Sequence, residues 1–134
     1  MAYYSYEKSI NEPWIKYEKQ LRLIREGNLK PNKEEAIRFA KRIYRKGMGK
    51  PWKGKVKITS GNRYTWIRRG ILVVNPDRGY YGGWRDILHE ISHYIHWHKN
   101  PGKKPHDASQ FRLERDLTEY AIKSGICEGK LKSK

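Results

Sequence analysis

A single cysteine in 134 residues, Cys127, leaves no partner for an internal disulfide and excludes any zinc module built on several thiolates. Acidic side chains are scarce too: 14 Asp and Glu stand against 30 Lys and Arg, a formal charge of +16. That imbalance points to a polyanionic partner, nucleic acid ahead of anionic lipid. Long apolar runs are missing: none approaches the roughly 18–20 residues of a membrane helix, and the opening MAYYSYEKSI lacks a signal-peptide core. The expectation is a soluble, cytoplasmic chain with no membrane attachment. Repeats and low-complexity tracts are absent as well, so a chain of this length reads as one domain. Mean hydropathy of −1.00 would suit partial disorder, but 13% aromatics, including 5 Trp and 10 Tyr, argue for a packed core.

The chain divides by periodicity. Residues 1–10 read as a mobile arm, and Asn11, Glu12 and Pro13 as a helix start with proline in the first turn. Trp14, Tyr17, Leu21 and Ile24 follow at helical spacing up to Gly27. A second helix is expected after Pro31 and Asn32, with Glu34 and Glu35 at its positive end. Its inner stripe would be Ala36, Ile37, Ala40, Ile43 and Tyr44, and it would stop near Gly47. Residues 55–59, 63–67 and 71–75 look like short strands, with turns at Gly61–Asn62 and Arg69–Gly70. Trp84, Ile87, Leu88, Ile91 and Ile95 then form one continuous helical stripe. Asp107 with Gln110 makes a capping box for a last helix, whose buried face would be Leu113, Leu117, Tyr120 and Ala121, with Gly125 as its C-cap. The fold class predicted is α+β: two N-terminal helices, a small, largely antiparallel three-stranded sheet, and two further helices. The domain would span residues 11–126, with a frayed basic tail over 127–134 and Cys127 incidental to function.

The chemistry concentrates on the third helix. His89, Glu90 and His93 spell HEISH, a match to HExxH. Histidines at i and i+4 stand one above the other on one helix face, so both imidazoles reach a single metal ion. Glu90, one step round, is placed to take a proton from an activated water. A catalytic zinc needs a third protein ligand and an open position. The candidates downstream are His96, His98, His106, Glu114 and Glu119. His96 lies about 10 Å along the axis from His89 at 1.5 Å per residue, too far to converge with it on a straight helix. His98 would need the helix to fold back, so both read as a cationic helix end. His106 follows a flexible loop, residues 99–105, long enough to return to the metal. Glu114, one to two turns into the last helix, is the alternative third ligand. If His106 binds, Glu114 becomes the group that orients a ligand imidazole.

The segment HEISHYIHWHKNPGKKPHDASQF resembles the core of the SprT-like (Spartan and WLM) metalloproteases, which carry HExxH, a variable loop, then a histidine followed by Gly or Asp and a phenylalanine. The resemblance covers residues 71–125 and implies a minimal zincin-like domain with one zinc per chain. His89, His93 and His106 would be its ligands and Glu90 its general base, with Asp107 and Phe111 matching the residues after the third histidine. Phe111 lies five residues after His106, where the family commonly has four. The four-cysteine ribbon of many relatives has no counterpart here, so any DNA contact would come from the domain itself. A weaker similarity to ImmA/IrrE-type proteases aligns ERDLTEYA, residues 114–121, with their glutamate helix and makes Glu114 the ligand. Zinc proteases of this plan hold extended substrate on an edge strand, which places that role within residues 55–75. Tyr80 or Tyr81 is a candidate oxyanion stabiliser.

From Arg38 to Lys55 there are eight basic residues and no acidic one. Arg38, Lys41, Arg42 and Arg45 share one helix face, Lys50 and Lys53 follow, and Trp52 is placed to stack on an unpaired base. Nothing in the pattern specifies bases, so the expected binding is sequence-independent. Together these features predict a zinc-dependent endopeptidase acting on DNA-associated proteins. The rival readings are a basic nucleic-acid-binding protein with a structural or inactive metal site, and an ImmA-like protease specific for one regulator.

Overall fold

Helix α1, Tyr3–Ile24, begins well before the proline that its sequence suggests as a start. The computed structural model describes residues 3–27, 29–77 and 83–128. In place of a mobile arm, residues 3–10 are helical, and Tyr6 and Ile10 are fully buried. They extend the stripe of Trp14, Tyr17 and Leu21 by two turns. Pro13 therefore sits inside the helix, where its missing N–H leaves the Ser9 carbonyl without its i+4 donor. The Arg115 guanidinium, from the far end of the chain, donates to that carbonyl at 3.0 Å. The kink-prone position is thus closed by a tertiary hydrogen bond.

Helix α2, Lys33–Met48, starts at a capping box: the Asn32 side chain accepts from the Glu35 N–H while Glu35 accepts from the Asn32 N–H. It runs through Gly47 and ends at Gly49, whose φ of 78° is the left-handed C-cap conformation. Gly47 serves packing instead: a Cβ there would lie 2.7 Å from the Ile95 Cδ1 atom. Ala36, Phe39, Ala40, Ile43 and Tyr44 face inward, with Ile37 half-buried beside them.

Strands β1 (Lys55–Ile58), β2 (Trp66–Arg68) and β3 (Ile71–Val74) form a mixed sheet in the order β1-β3-β2. β2 and β3 make an antiparallel hairpin across Arg69 and Gly70, whose φ values of 53° and 77° match a type I′ turn. β1 pairs with β3 in parallel, which corrects the expectation of a largely antiparallel sheet. The physical reason is that residues 59–65 carry the chain across β3 before it returns. Asn75 anchors that excursion, its amide donating to the Gly61 and Arg63 carbonyls. β2 is left as a sheet edge.

Helix α3, Trp84–Lys99, lies at the centre, packed on α2, on β2 and β3, and on α4, Ala108–Ser124. Its apolar stripe from Trp84 to Ile95 is buried throughout; each such large side chain contributes roughly 1.5–3 kcal/mol of transfer free energy. α4 has Asp107 as N-cap and Gly125 as C-cap. Its buried face is more polar than the spacing suggests: Gln110, Glu114 and Thr118 are inside with Leu117 and Ala121, while Leu113 and Tyr120 are half-buried. The frayed tail does not begin at 127. Cys127 is fully buried in a 3₁₀ turn, Ile126–Glu128, because Arg25 donates to its carbonyl and the Tyr17 hydroxyl donates to Glu128. The expected tail beyond it, 129–134, lies outside the described residues. No helix among the described residues is long and apolar enough to cross a membrane. The architecture is α+β, four helices with a small three-stranded mixed sheet.

Candidate metal centre

His89 and His93 project from the same face of α3, and the loop of residues 100–107 brings His106 back to them. His93 Nε2 lies 2.9 Å from His106 Nε2, which lies 3.3 Å from His89 Nε2. Nitrogens bound to one zinc at about 2.0–2.1 Å in tetrahedral geometry stand roughly 3.4 Å apart, so the three imidazoles are spaced to hold such an ion. Their rings reach this spacing through different supports. His106 adopts a left-handed φ of 61°, costly for a residue with a Cβ, and its N–H donates to the Gln110 side chain at 2.8 Å. His96, one turn beyond His93, is buried and clasps the start of α4: its Nε2 meets Ser109 Oγ at 2.8 Å and Asp107 Oδ1 at 3.2 Å. In place of a solvent-facing helix end, His96 is a structural clasp, because α4 covers it. His98 is exposed, with its ring against Tyr94.

Glu114 is fully buried, but it faces the back of His89, Oε1 standing 2.8 Å from Nδ1. The alternative that made Glu114 the third ligand is corrected by this placement: a carboxylate on Nδ1 holds the ring and leaves Nε2 for the ion. Oε1 also accepts from the Tyr6 hydroxyl at 2.6 Å. The Tyr6 ring stands edge-on to His106, with centroids 5.3 Å apart, and to Phe111 at 5.5 Å. Tyr6 thus backs two of the three histidines from α1, a role hidden in a segment that reads as an arm. The helical stripe it shares with Ile10 and Trp14 was the available signal. Glu119 lies on the exposed side of α4, where it pairs with Arg115 at 3.6 Å.

The electrostatics favour the neutral form at two of the three histidines. Burial, reinforced by the neighbouring histidines, pushes His93 down to about 3, and burial with the nearby His89 lowers His106. Burial works against a charged His89 as well, but the Glu114 hydrogen bond and charge outweigh it and raise the ring. Glu114 thereby draws the His89 proton to Nδ1, away from the other two rings. Glu90 is half-buried, and desolvation pushes its carboxyl up to about 7, with the Ile67 N–H of β2 working in the opposite direction. A group so placed exchanges a proton readily near neutrality.

A cleft of about 510 Å³ opens beside His93, between β2, the second half of α3, and Lys103 and Pro105 of the loop. A second cavity of about 650 Å³ is lined by Tyr44, Lys50, Lys53, Lys55, Arg69 and Tyr94, and shares Arg69 and Tyr94 with the first. Of the basic residues singled out by sequence, Arg38, Lys41, Arg45, Lys50 and Lys53 are exposed, and Arg42 is half-buried. Trp52 is not exposed with them: it is only 6% exposed and packs beside Tyr44 in the core, contributing to the wall of the second cavity rather than standing free to stack on a base. Lys55, the last of the basic run, lines this cavity from β1, and Arg69 joins it through the β2–β3 turn, which linear charge spacing does not reveal. Tyr80 and Tyr81 lie outside the described residues. Comparison with protein-family models, with curated proteins and with solved structures returned no significant match.

Proposed function

We propose that the chain is a zinc-dependent endopeptidase of SprT-like type, with His89, His93 and His106 holding the ion and Glu90 as general base. The observation that carries this reading is the convergence of the three histidine Nε2 atoms, at 2.9 and 3.3 Å, on the helix that also presents Glu90. Zinc in that position supplies Lewis-acid chemistry, acidifying water toward neutrality and polarising a carbonyl. The rest falls to this chain's own groups. Glu90 takes the proton of the attacking water and returns it to the leaving amine. Glu114, braced by Tyr6, holds the His89 tautomer. The edge strand β2, which reaches Glu90 through the Ile67 N–H, offers backbone groups to an extended substrate. Glu114 on Nδ1 favours this plan over an ImmA-like one in which it is a ligand. The exposed cations Arg38, Lys41, Arg45, Lys50 and Lys53 support action on proteins associated with nucleic acid, bound without sequence preference.

Substituting Glu90→Gln in zinc-loaded protein tests the reading. Peptide hydrolysis should fall by about 10²–10⁴-fold or more while one zinc per chain is retained. Zinc-loaded wild type that hydrolyses no protein or peptide substrate, with or without DNA, would instead leave a basic binding protein with a structural metal site.

A further inference from the structure

The cleft beside His93 has walls of one chemistry and a rim of another. Tyr94, Pro105 and Trp97, the last 64% exposed, supply apolar surface, and Ile67 closes the side toward β2. Arg68, Arg69 and Lys103 stand on the rim, and no carboxylate lines the cleft. Among the described residues none of these three cations forms an ion pair. At about 510 Å³ the cleft falls within the roughly 300–1,000 Å³ range of ligand pockets and accommodates a large side chain.

From these features we infer that the cleft is a specificity subsite for an extended acidic peptide, taking one bulky apolar side chain flanked by carboxylates. The inference rests on the peptidase reading for its place in a reaction, and on charge complementarity for its occupant. A peptide along the free edge of β2 alternates its side chains between two faces, so an apolar residue entering the cleft has its i±2 neighbours on the same side. Those neighbours meet the cations that line the cleft, Arg68 at the end of β2, Arg69 in its turn, and Lys103 of the loop. A basic flank would meet three like charges, and no carboxylate of the cleft lining to offset them. The apolar walls then select size, because an exposed tryptophan and a tyrosine leave much surface to bury only when the incoming side chain is large.

The experiment uses zinc-loaded Glu90→Gln protein and fluorescein-labelled decapeptides read by anisotropy. One peptide carries a central Phe with Glu at both i±2 positions, a second replaces these Glu by Lys, and a third replaces the Phe by Ala. The Glu-flanked Phe peptide should bind about tenfold more tightly than either of the others. The double substitution Arg68→Glu with Arg69→Glu should reverse the preference between Glu and Lys flanks, and Trp97→Ala should erase the preference for Phe. Equal affinities, or tighter binding of the Lys-flanked peptide, overturn the subsite. Wild-type protein is assayed for cleavage of the same three peptides. Cleavage without preference also overturns the subsite while leaving the peptidase reading intact. Selective binding without cleavage of any peptide, with or without added DNA and with protein substrates equally untouched, keeps the subsite and sinks the peptidase reading.

Discussion

Removing the carboxylate of Glu114 separates the two ways this site could hold a metal. Its Oε1 stands 2.8 Å from His89 Nδ1 and 2.6 Å from the Tyr6 hydroxyl, and the residue is wholly buried. A carboxylate in that position orients the imidazole and strengthens its Nε2 as a donor, and loss of such a partner costs about 10–100-fold in metal affinity. In free energy this is about 1.4–2.8 kcal/mol. Glu114→Gln keeps the shape and one acceptor but removes the charge, so it should sit at the mild end of that range, with Glu114→Ala at the severe end. Tyr6→Phe leaves the carboxylate in place with one donor fewer and should cost less than tenfold. His106→Ala removes a ligand and should weaken binding far more than any of these. Competition against a chromophoric zinc chelator measures all four, with circular dichroism to confirm that each variant folds. If Glu114→Gln loses zinc as completely as His106→Ala, the carboxylate is a ligand and the reasoning fails. If Glu114→Ala binds as wild type does, the hydrogen bond to Nδ1 contributes nothing and the role given to Glu114 and Tyr6 is wrong.

Chelation should lower the melting temperature of zinc-loaded protein by on the order of 10–20 °C, since free zinc at a thousand times Kd adds about 4 kcal/mol, and His106→Ala should show little of this shift by calorimetry. The Glu35 carboxyl is raised by burial, but its paired hydrogen bonds from Arg25, at 2.7 and 2.9 Å, and the Asn32 N–H prevail and hold it below the usual range. Its contribution is therefore present above the unfolded pKa of about 4.3 and lost as pH falls through the folded value. Urea unfolding should find Glu35→Gln less stable by about 1–2 kcal/mol at pH 7, with the gap to wild type closing below about pH 4. DNA binding by the exposed cations Arg38, Lys41, Arg45, Lys50 and Lys53 should fall with salt at a log–log slope of about −4 to −5. Lys41→Glu with Arg45→Glu should flatten that slope by about two, and an unchanged slope would place the contact elsewhere.

The sequence reports best where the physics is local. Helix α3 is legible because its apolar stripe and its two histidines lie on different faces of one turn pattern, and α2 and α4 announce themselves through Asn32 and Asp107. The third histidine is legible from loop length. What escapes is tertiary. Pro13 reads as a start because a helix interior cannot supply the lost bond, and the donor that closes the gap is Arg115, 106 residues from the Ser9 carbonyl it reaches. The capping box at Asp107 is half right for a similar reason: Asp107 accepts from the Gln110 N–H, but the Gln110 side chain reaches back to His106. Trp52 lies in a run of lysines and reads as exposed, but it packs beside Tyr44 in the core cluster. The parallel pairing of β1 with β3 depends on a crossover that no alternation pattern records.

The supports around the three imidazoles share a direction. His106 holds a left-handed backbone that costs of order 1–3 kcal/mol for a residue of its kind, and Gln110 and the His96 clasp keep it there. Glu114 is a fully buried carboxylate with one oxygen unpartnered, an arrangement that is unfavourable on its own account. Three ring nitrogens facing one another within 4.8 Å can share few protons among them, since each added proton meets its neighbours' charge. None of these features stabilises the fold, and α1, α3 and α4 must hold all of them at once through the core they share. A scaffold that keeps such costs together at one point, with three ring nitrogens gathered within 4.8 Å, holds the geometry a cation would require before it arrives. Binding then loses little to rearrangement, because the ordering has been done by packing. That economy is the physical argument for reading the cluster as a centre built for a metal, one that would persist in the apo-protein rather than form around the ion.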